Sequence, residues 1–356
     1  MPSHLDVRET TPAPVGHSLY LAPFLLSIAG DVSVLAFYAV GRSAGLPFLR
    51  HPLHSAMTML FTFNMVGSAF FWAHYWVDPG TAGCSVTVFG VVAGYAGDYF
   101  SSATVAWLLF RSLVLNMTPL STTRAVMSLL WPVLLAVAAG ASTLGADTTQ
   151  PPHVVCWLTN PNDAHGLAVA SALVLAVALN GILSALVVYN LTKRASVVVR
   201  TEIHLGAAGT LSGVGRSPRE DSEVLTKRLL VYPAVIIICG GSSLVASIAS
   251  NPWAGVVGDF MLMLNGLFNT AAFFFLDPTS AKTARGLLET LDAADTRDAE
   301  FKAAGVAVAA AAAAAGAGGQ WGAGSSARRD VGFKRPWGVS VAGKIRPVLR
   351  IIAGQV

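Results

Sequence analysis

Charge is scarce in this chain. Only 12% of its 356 residues are Asp, Glu, Lys or Arg, while 54% belong to the hydrophobic set. A soluble domain carries about a quarter charged residues. A single soluble globule of this length would therefore lack the polar surface to cover itself. Cysteine is also sparse: three residues cannot build a disulfide scaffold. The composition has neither the repeat of a collagenous chain nor the polar bias of a disordered one. With mean hydropathy at +0.60, what remains is an integral membrane protein.

Long apolar runs are what the sequence has instead. A bilayer core needs about 20 mostly apolar residues per helix. Seven stretches qualify: 18–41, 53–77, 84–113, 125–144, 167–189, 229–250 and 256–276. Breakers separate them, among them Gly45 and Pro47, Asp78-Pro79-Gly80, Pro119, Pro151-Pro152 and Asn251-Pro252. The expected fold is all-α, a seven-helix transmembrane bundle. An eighth apolar stretch, 303–319, is nearly all alanine and glycine. It lacks the Leu, Ile and Phe that drive insertion, so it reads as a low-complexity cytosolic linker. No internal repeat marks an inverted-repeat transporter.

Lysine and arginine set the orientation. With the N-terminus outside, every one of them except Arg8 falls on the cytosolic side, seven in the loop 190–228 and eleven after Leu276. The first 17 residues hold one arginine and two acids, unlike a basic signal-peptide start, so the first span is expected to direct its own insertion. In this topology Cys84, at the outer mouth of the third span, and Cys156, in the following outer loop, both face an oxidising compartment where a disulfide can form. The alternative is two unrelated thiols. Cys239 falls mid-span and reads as a small core residue. The Asn116-Met-Thr and Asn190-Leu-Thr sequons land on the cytosolic side and read as chance matches.

Seven spans, an outer N-terminus and that bridge together resemble a G-protein-coupled receptor. Local motifs favour one branch. The sixth span opens Arg228-Leu-Leu-Val-Tyr232-Pro233, and the seventh carries Leu264-Asn265-Gly266-Leu267-Phe268-Asn269. Trp157 follows the loop cysteine directly, and the fourth span holds Trp131-Pro132. These are similar to the cyclic-AMP-receptor-like group of slime moulds and other microbial eukaryotes, which is related to the secretin-type receptors. The resemblance runs from about Ser18 to Phe275. Rhodopsin-type signatures are absent: the third span ends Phe110-Arg111-Ser112, and no Asn-Pro-x-x-Tyr occurs in the seventh. Retinal would need a lysine for its Schiff base. The first lysine is Lys193 and the seventh span has none, so no cofactor is expected.

Ionisable groups inside a bilayer are costly and mark function by default. Asp31, Asp98 and Asp259 are the acids in the spans. Asp31, mid-span with no partner identifiable, reads as a helix lock. Tyr95, Asp98 and Ser102 follow i, i+3, i+7 spacing and form one polar stripe. With His74, Trp157 and Asp259 they are the ligand-pocket candidates, against a purely structural hydrogen-bonding role. A metal at His74 is not expected, because no second ligand stands at helical spacing. Asn64, Tyr232, Pro233, Gly241, Asn265, Gly266 and Asn269 are candidates for an activation network. The competing reading of the amides is helix–helix glue. Pro233 and Gly240-Gly241 would let the sixth span bend.

Arg111, Arg124, Lys193, Arg194, Lys227 and Arg228 would ring the cytosolic opening and face a heterotrimeric G protein; the orientation rule alone also puts positive charge there. The loop 190–227 is Gly-, Ser- and charge-rich and reads as disordered, centrally in 206–223. Residues 277–304 mix Leu287, Leu288, Leu291 and Phe301 with charges, as in an amphipathic helix on the inner membrane surface. The basic tail within 305–356 suits anionic inner-leaflet lipid, and nucleic acid is not expected. A phosphodiester is normally held by Arg or Lys, and the outer half offers only Arg8 in the tail 1–17, which argues against cyclic AMP. The expected function is therefore a plasma-membrane receptor for an unknown extracellular stimulus, and not an enzyme, since no His cluster, Ser–His arrangement or phosphate loop lies in the spans. The alternative is a proton-coupled transporter or channel, supported by Asp31 and Asp98 at mid-membrane.

Overall fold

A computed structural model describes residues 13–46, 49, 51–115, 117, 122–146, 163–205, 230–248, 252–315 and 346–354, and the regular structure among them is helical throughout. A helix stands at each of the seven apolar stretches: α1 (Ala13–Ser43), α2 (Pro52–Ala73), α3 (Ala82–Leu113), α4 (Thr122–Ala141), α5 (Ala164–Leu205), α6 (Val231–Ile248) and α7 (Pro252–Ala271). The last turn of the seventh, Ala272–Leu276, is a wide π-turn. Two further helices follow, α8 (Pro278–Ala315) and α9 (Arg346–Ala353).

Local chemistry places the helix starts. His51 caps α2, its Nδ1 accepting from the Leu53 N–H at 3.3 Å, with Pro52 in the first turn. An imidazole that accepts must be neutral, and burial pushes the His51 pKa below its usual value. Thr81 caps α3 by accepting from the Cys84 N–H at 3.2 Å. Asp163 does the same ahead of α5, accepting from Gly166 N–H at 2.7 Å. Gly80, in the turn before α3, holds φ at 75°, which only glycine adopts without strain.

Five helical segments are long and apolar enough to cross a bilayer: Tyr20–Ser43, Pro52–Ala73, Thr123–Ala141, Ala164–Asn190 and Val256–Leu276. The sixth stretch is apolar over the shorter Val231–Ser243. The third falls short in apolarity for a physical reason. From Val91 to Ala106 every residue except Ala93 is buried or nearly so by other helices, so α3 contacts protein on all sides. Polar residues are tolerated there, as Thr87, Asp98, Ser101, Ser102 and Thr104 illustrate. By contrast α4 and α5 expose Leu130, Leu134, Val137, Leu167, Leu175 and Ile182, as a lipid-facing surface requires.

The chain divides into two units, the first comprising Met1–Ala36 and Arg50–Pro278. Its core groups Val88, Val92, Tyr99 and Phe100 of α3 with Ala139, Val169, Ala176 and Ile236. The Phe100 and Trp131 rings meet edge-on at 5.6 Å. A second cluster joins Tyr20, Phe71, Val91, Tyr95 and Met263. The α2–α3 pair is the most intimate in the unit: a Cβ at Gly94 would overlap the Gly67 Cα and N and stand 3.2 Å from the Phe63 carbonyl oxygen. The two backbones touch where both residues are glycine.

The second unit comprises Phe37–Leu49 and Thr279–Val356. Helix α8 buries Ala281, Ala284, Leu287 and Leu291 along one face, and Gly286 lies against Leu46. Helix α9 lies antiparallel on it. Arg285 donates to the Ala353 carbonyl from Nε and Nη2 at 3.2 and 3.1 Å. At the other end, Arg346 reaches Asp292 at 2.7 Å and Asp295 at 2.9 Å. Two readings change here. The alanine-rich stretch is helical as far as Ala315, because alanine has the highest helix propensity, so the break expected at 304 is not one. Helix α5 also continues to Leu205, into the loop read as disordered.

Candidate functional site

The centre of the first unit holds a continuous chain of polar side chains. Asn64 of α2 donates from Nδ2 to Asp31 Oδ2 of α1 at 2.6 Å, and to Ser27 Oγ at 3.4 Å. Its Oδ1 accepts from Asn265 of α7 at 3.0 Å. The second hydrogen of that Asn265 amide goes to Asp98 Oδ2 of α3, at 2.5 Å. One turn on, Asn269 donates to Asn265 Oδ1 at 3.4 Å. All of these residues are fully buried. Two carboxyls on α1 and α3 are thus joined through two amides on α2 and α7.

Helix geometry explains why the chain closes. Asn265 and Asn269 are four residues apart and share one face of α7. Gly266 beside them leaves room for the partners: a Cβ there would overlap Ser27 Oγ and Asn64 Nδ2 and stand 2.8 Å from Asp31 Oδ2. The amide hydrogens of Asn64 and Asn265 are all used, but not every acceptor is. Among the described residues Asp31 Oδ1, Asp98 Oδ1 and Asn269 Oδ1 have no hydrogen-bond partner, and neither have the hydroxyls of Ser102 and Thr270. Buried polar atoms normally find partners. A network with spare acceptors and hydroxyls that can rotate has more than one way of being satisfied.

Toward the N-terminal end of α3 the site becomes aromatic. Tyr95 lies edge-on to Phe71, ring centroids 6.3 Å apart. His74 caps α2, its Nδ1 against the Phe71 carbonyl. Its ring packs on Phe71 and Tyr75 with centroids at 4.6 and 4.0 Å. Asp259, half-buried on α7, lies near enough to Tyr95 for the two to interact electrostatically. Tyr20 stacks on Tyr75 at 6.2 Å, and Phe24 on Trp72 at 5.0 Å.

At the opposite end of the unit Tyr232 of α6, fully buried, donates its hydroxyl to Asp277 Oδ2 at 3.2 Å. Its ring meets Phe61 edge-on at 6.4 Å, and Phe61 meets Phe273 of the π-turn at 6.1 Å.

Of the ligand-pocket candidates, His74, Tyr95, Asp98 and Ser102 are buried, and Asp98 meets α7 through Asn265. Trp157 lies outside the described residues. Of the network candidates, Asn64, Asn265, Gly266 and Asn269 come together with Asp31, which gains in Asn64 the partner that the sequence did not identify. Tyr232 belongs to the other end, beside Pro233, and Gly241 faces open space within 4 Å. Arg111 closes α3, Arg124 lies in the first turns of α4, and Lys193 is exposed on the extension of α5. Arg194 is helical; Lys227 and Arg228 lie outside the described residues. Cys84 is buried at the head of α3 and Cys239 is a free buried thiol. Cys156 lies outside the described residues. Sequence reasoning missed Asp277, which it placed only at the start of the amphipathic segment 277–304, and the contact of Gly67 with Gly94.

No family model matches the sequence, and none of the curated proteins does. Among solved structures the fold is similar to that of squid rhodopsin, with a TM-score of 0.59 and 13% sequence identity, over 82% of this chain and 89% of that one. The fold is therefore rhodopsin-like, and five of its helical segments are long and apolar enough to cross a membrane.

Proposed function

We propose, with the receptor-like fold as premise, that this protein passes an extracellular stimulus to a heterotrimeric G protein by rearranging its helices. The observation that carries the reading is the Asp31–Asn64–Asn265–Asp98 chain. It couples α1, α2, α3 and α7 through bonds that can be exchanged for others, as a two-state bundle needs. The tyrosine–proline start of α6, the Asn265-to-Asn269 run, Trp131-Pro132 and Cys156-Trp157 support a place beside the cyclic-AMP-receptor-like group.

In this reading seven helices span the plasma membrane with the N-terminus outside. The stimulus meets the aromatic end formed by His74, Tyr95 and Asp259, with Ser102 and Asp98 below and Trp157 in the loop above. A Cys84–Cys156 bridge holds that loop over the bundle. An end without lysine or arginine suits a ligand that is not a phosphate, so cyclic AMP is not the stimulus. Arg111, Arg124, Lys193, Arg194, Lys227 and Arg228 face the G protein. Helix α8 lies at the inner surface, where the basic tail meets anionic lipid.

The test is nucleotide exchange. Purified protein in nanodiscs, mixed with heterotrimeric G proteins, should raise uptake of a labelled GTP analogue above empty discs. Cys84→Ser should lower it several-fold. Absence of exchange, together with proton flux through the same protein in liposomes, would instead favour a proton-coupled carrier built on Asp31 and Asp98.

A further inference from the structure

Helix α9 grips α8 by both of its ends. Arg346 reaches Asp292 and Asp295 at 2.7 and 2.9 Å, and Arg285 of α8 holds the Ala353 carbonyl. Between these ties Leu349 and Ile352 are buried, while Pro347, Val348, Arg350 and Ile351 are exposed. Residues 316–345, 30 in all, connect the two helices. Thirty residues span up to about 100 Å when extended, so the length of the connection does not itself hold α9 where it is.

The residues spent on α8 are also those an anionic membrane surface would take. Lys344, Arg346 and Arg350 alternate with Val348, Leu349, Ile351 and Ile352, and no acid occurs from 331 to 356. A basic helix of that kind binds by sinking its apolar side chains to the headgroup boundary and setting its cations among lipid phosphates. Each cation brings about a fivefold preference for an anionic leaflet. Leu349 and Ile352 cannot be buried in two places, and Arg346 cannot pair fully with two sets of anions. The contact with α8 and full engagement of lipid therefore exclude each other.

The hold on α8 is of a kind that can be outweighed. Asp292 is 71% and Asp295 46% exposed, and exposed ion pairs contribute little and are screened by salt. Once α9 leaves, those two carboxylates have lost the Arg346 cation and are repelled by an anionic surface. The two helices then part rather than move to lipid together.

We propose that α9 is an exchangeable segment, docked on α8 beside a neutral leaflet and transferred to the lipid beside an anionic one, with Arg346 exchanging the Asp292–Asp295 pair for a lipid phosphate. This rests on the reading above only in placing the tail beside lipid, and it specifies when the tail engages it.

The test is a distance measurement on the full chain in nanodiscs, either of phosphatidylcholine alone or of phosphatidylcholine and phosphatidylserine in equal parts. Spin labels at Ala299→Cys on α8 and Gly354→Cys just beyond α9, both exposed positions, report the separation of the helices by pulsed EPR. In phosphatidylcholine the short distance should dominate, and Asp292→Asn together with Asp295→Asn should raise the ratio of long to short distances several-fold. Phosphatidylserine should raise that ratio in the labelled parent by roughly fivefold or more. Arg350 is exposed and is not one of the ties to α8. Arg350→Gln should therefore leave the distances in phosphatidylcholine unchanged and weaken the response to phosphatidylserine by about fivefold. Distances that ignore phosphatidylserine overturn the proposal. So do distances in phosphatidylcholine that ignore the loss of both aspartates. No G protein enters the measurement, so a protein that promotes no nucleotide exchange can still meet it, and one that promotes exchange can fail it.

Discussion

Leucine in place of Asn265 should lower the Tm of the purified protein sharply and cut nucleotide exchange tenfold or more. Asn265 supplies both hydrogens that connect Asn64 Oδ1 to Asp98 Oδ2, at 3.0 and 2.5 Å. Its loss leaves two more buried acceptors without donors, at about 1–3 kcal/mol each. The companion experiment exchanges the partners across the 2.6 Å contact. Asp31→Asn alone removes an acid, and Asn64→Asp alone sets two carboxyls against each other. The double exchange keeps one carboxyl and one amide there, and Asp at 64 still accepts from Asn265. It should recover most of the Tm lost in either single variant. A double variant no more stable than the worse single one would mean that the Asp31–Asn64 bond is not what holds α1 to α2.

The second large effect is steric. Gly94→Ala should cost at least about 3 kcal/mol, the upper range for overpacking, and lower the yield of folded protein severely. The added Cβ meets the backbone of Gly67, which cannot turn aside as a side chain can. Gly241→Ala is the matched control: the same substitution in a helix, but with nothing within 4 Å of the new atom. Removing a helical glycine there favours the helix by up to about 1 kcal/mol, so its Tm should equal or exceed that of the parent. Equal melting of the two variants would show that α2 and α3 separate without cost.

The positions of the helices were readable because burial in lipid is a property of composition along a run, and each of the seven apolar stretches is helical. Which residues face one another was readable only within a helix. Tyr95, Asp98 and Ser102 form a stripe at i, i+3, i+7 and are all buried. Asn64 and Asn265 are 201 positions apart, and depth in the bilayer says that such residues lie at one level without giving their direction around the helix. That is why Asp31 had no visible partner. The Gly67–Gly94 contact left a faint mark in Gly90, Gly94 and Gly97, spaced on one face of α3. Helix α9 left another: Arg346, Leu349 and Ile352 repeat every third residue, the spacing of one helix face. In sequence Arg346 and Arg350 read only as part of the basic tail; in the structure Leu349 and Ile352 are buried and Arg346 bridges two carboxyls of α8.

The turn Ala272–Leu276 has a consequence for changes in chain length. A π-turn accommodates one residue more than an α-helix over the same rise. Removing one residue from Ala-Phe-Phe-Phe-Leu would let the helix run on as ordinary α, four residues then sweeping about the angle that five sweep now. Asp277 would keep its direction about the axis. At this junction a single-codon deletion is absorbed, whereas a further residue would swing the carboxyl by about 100°.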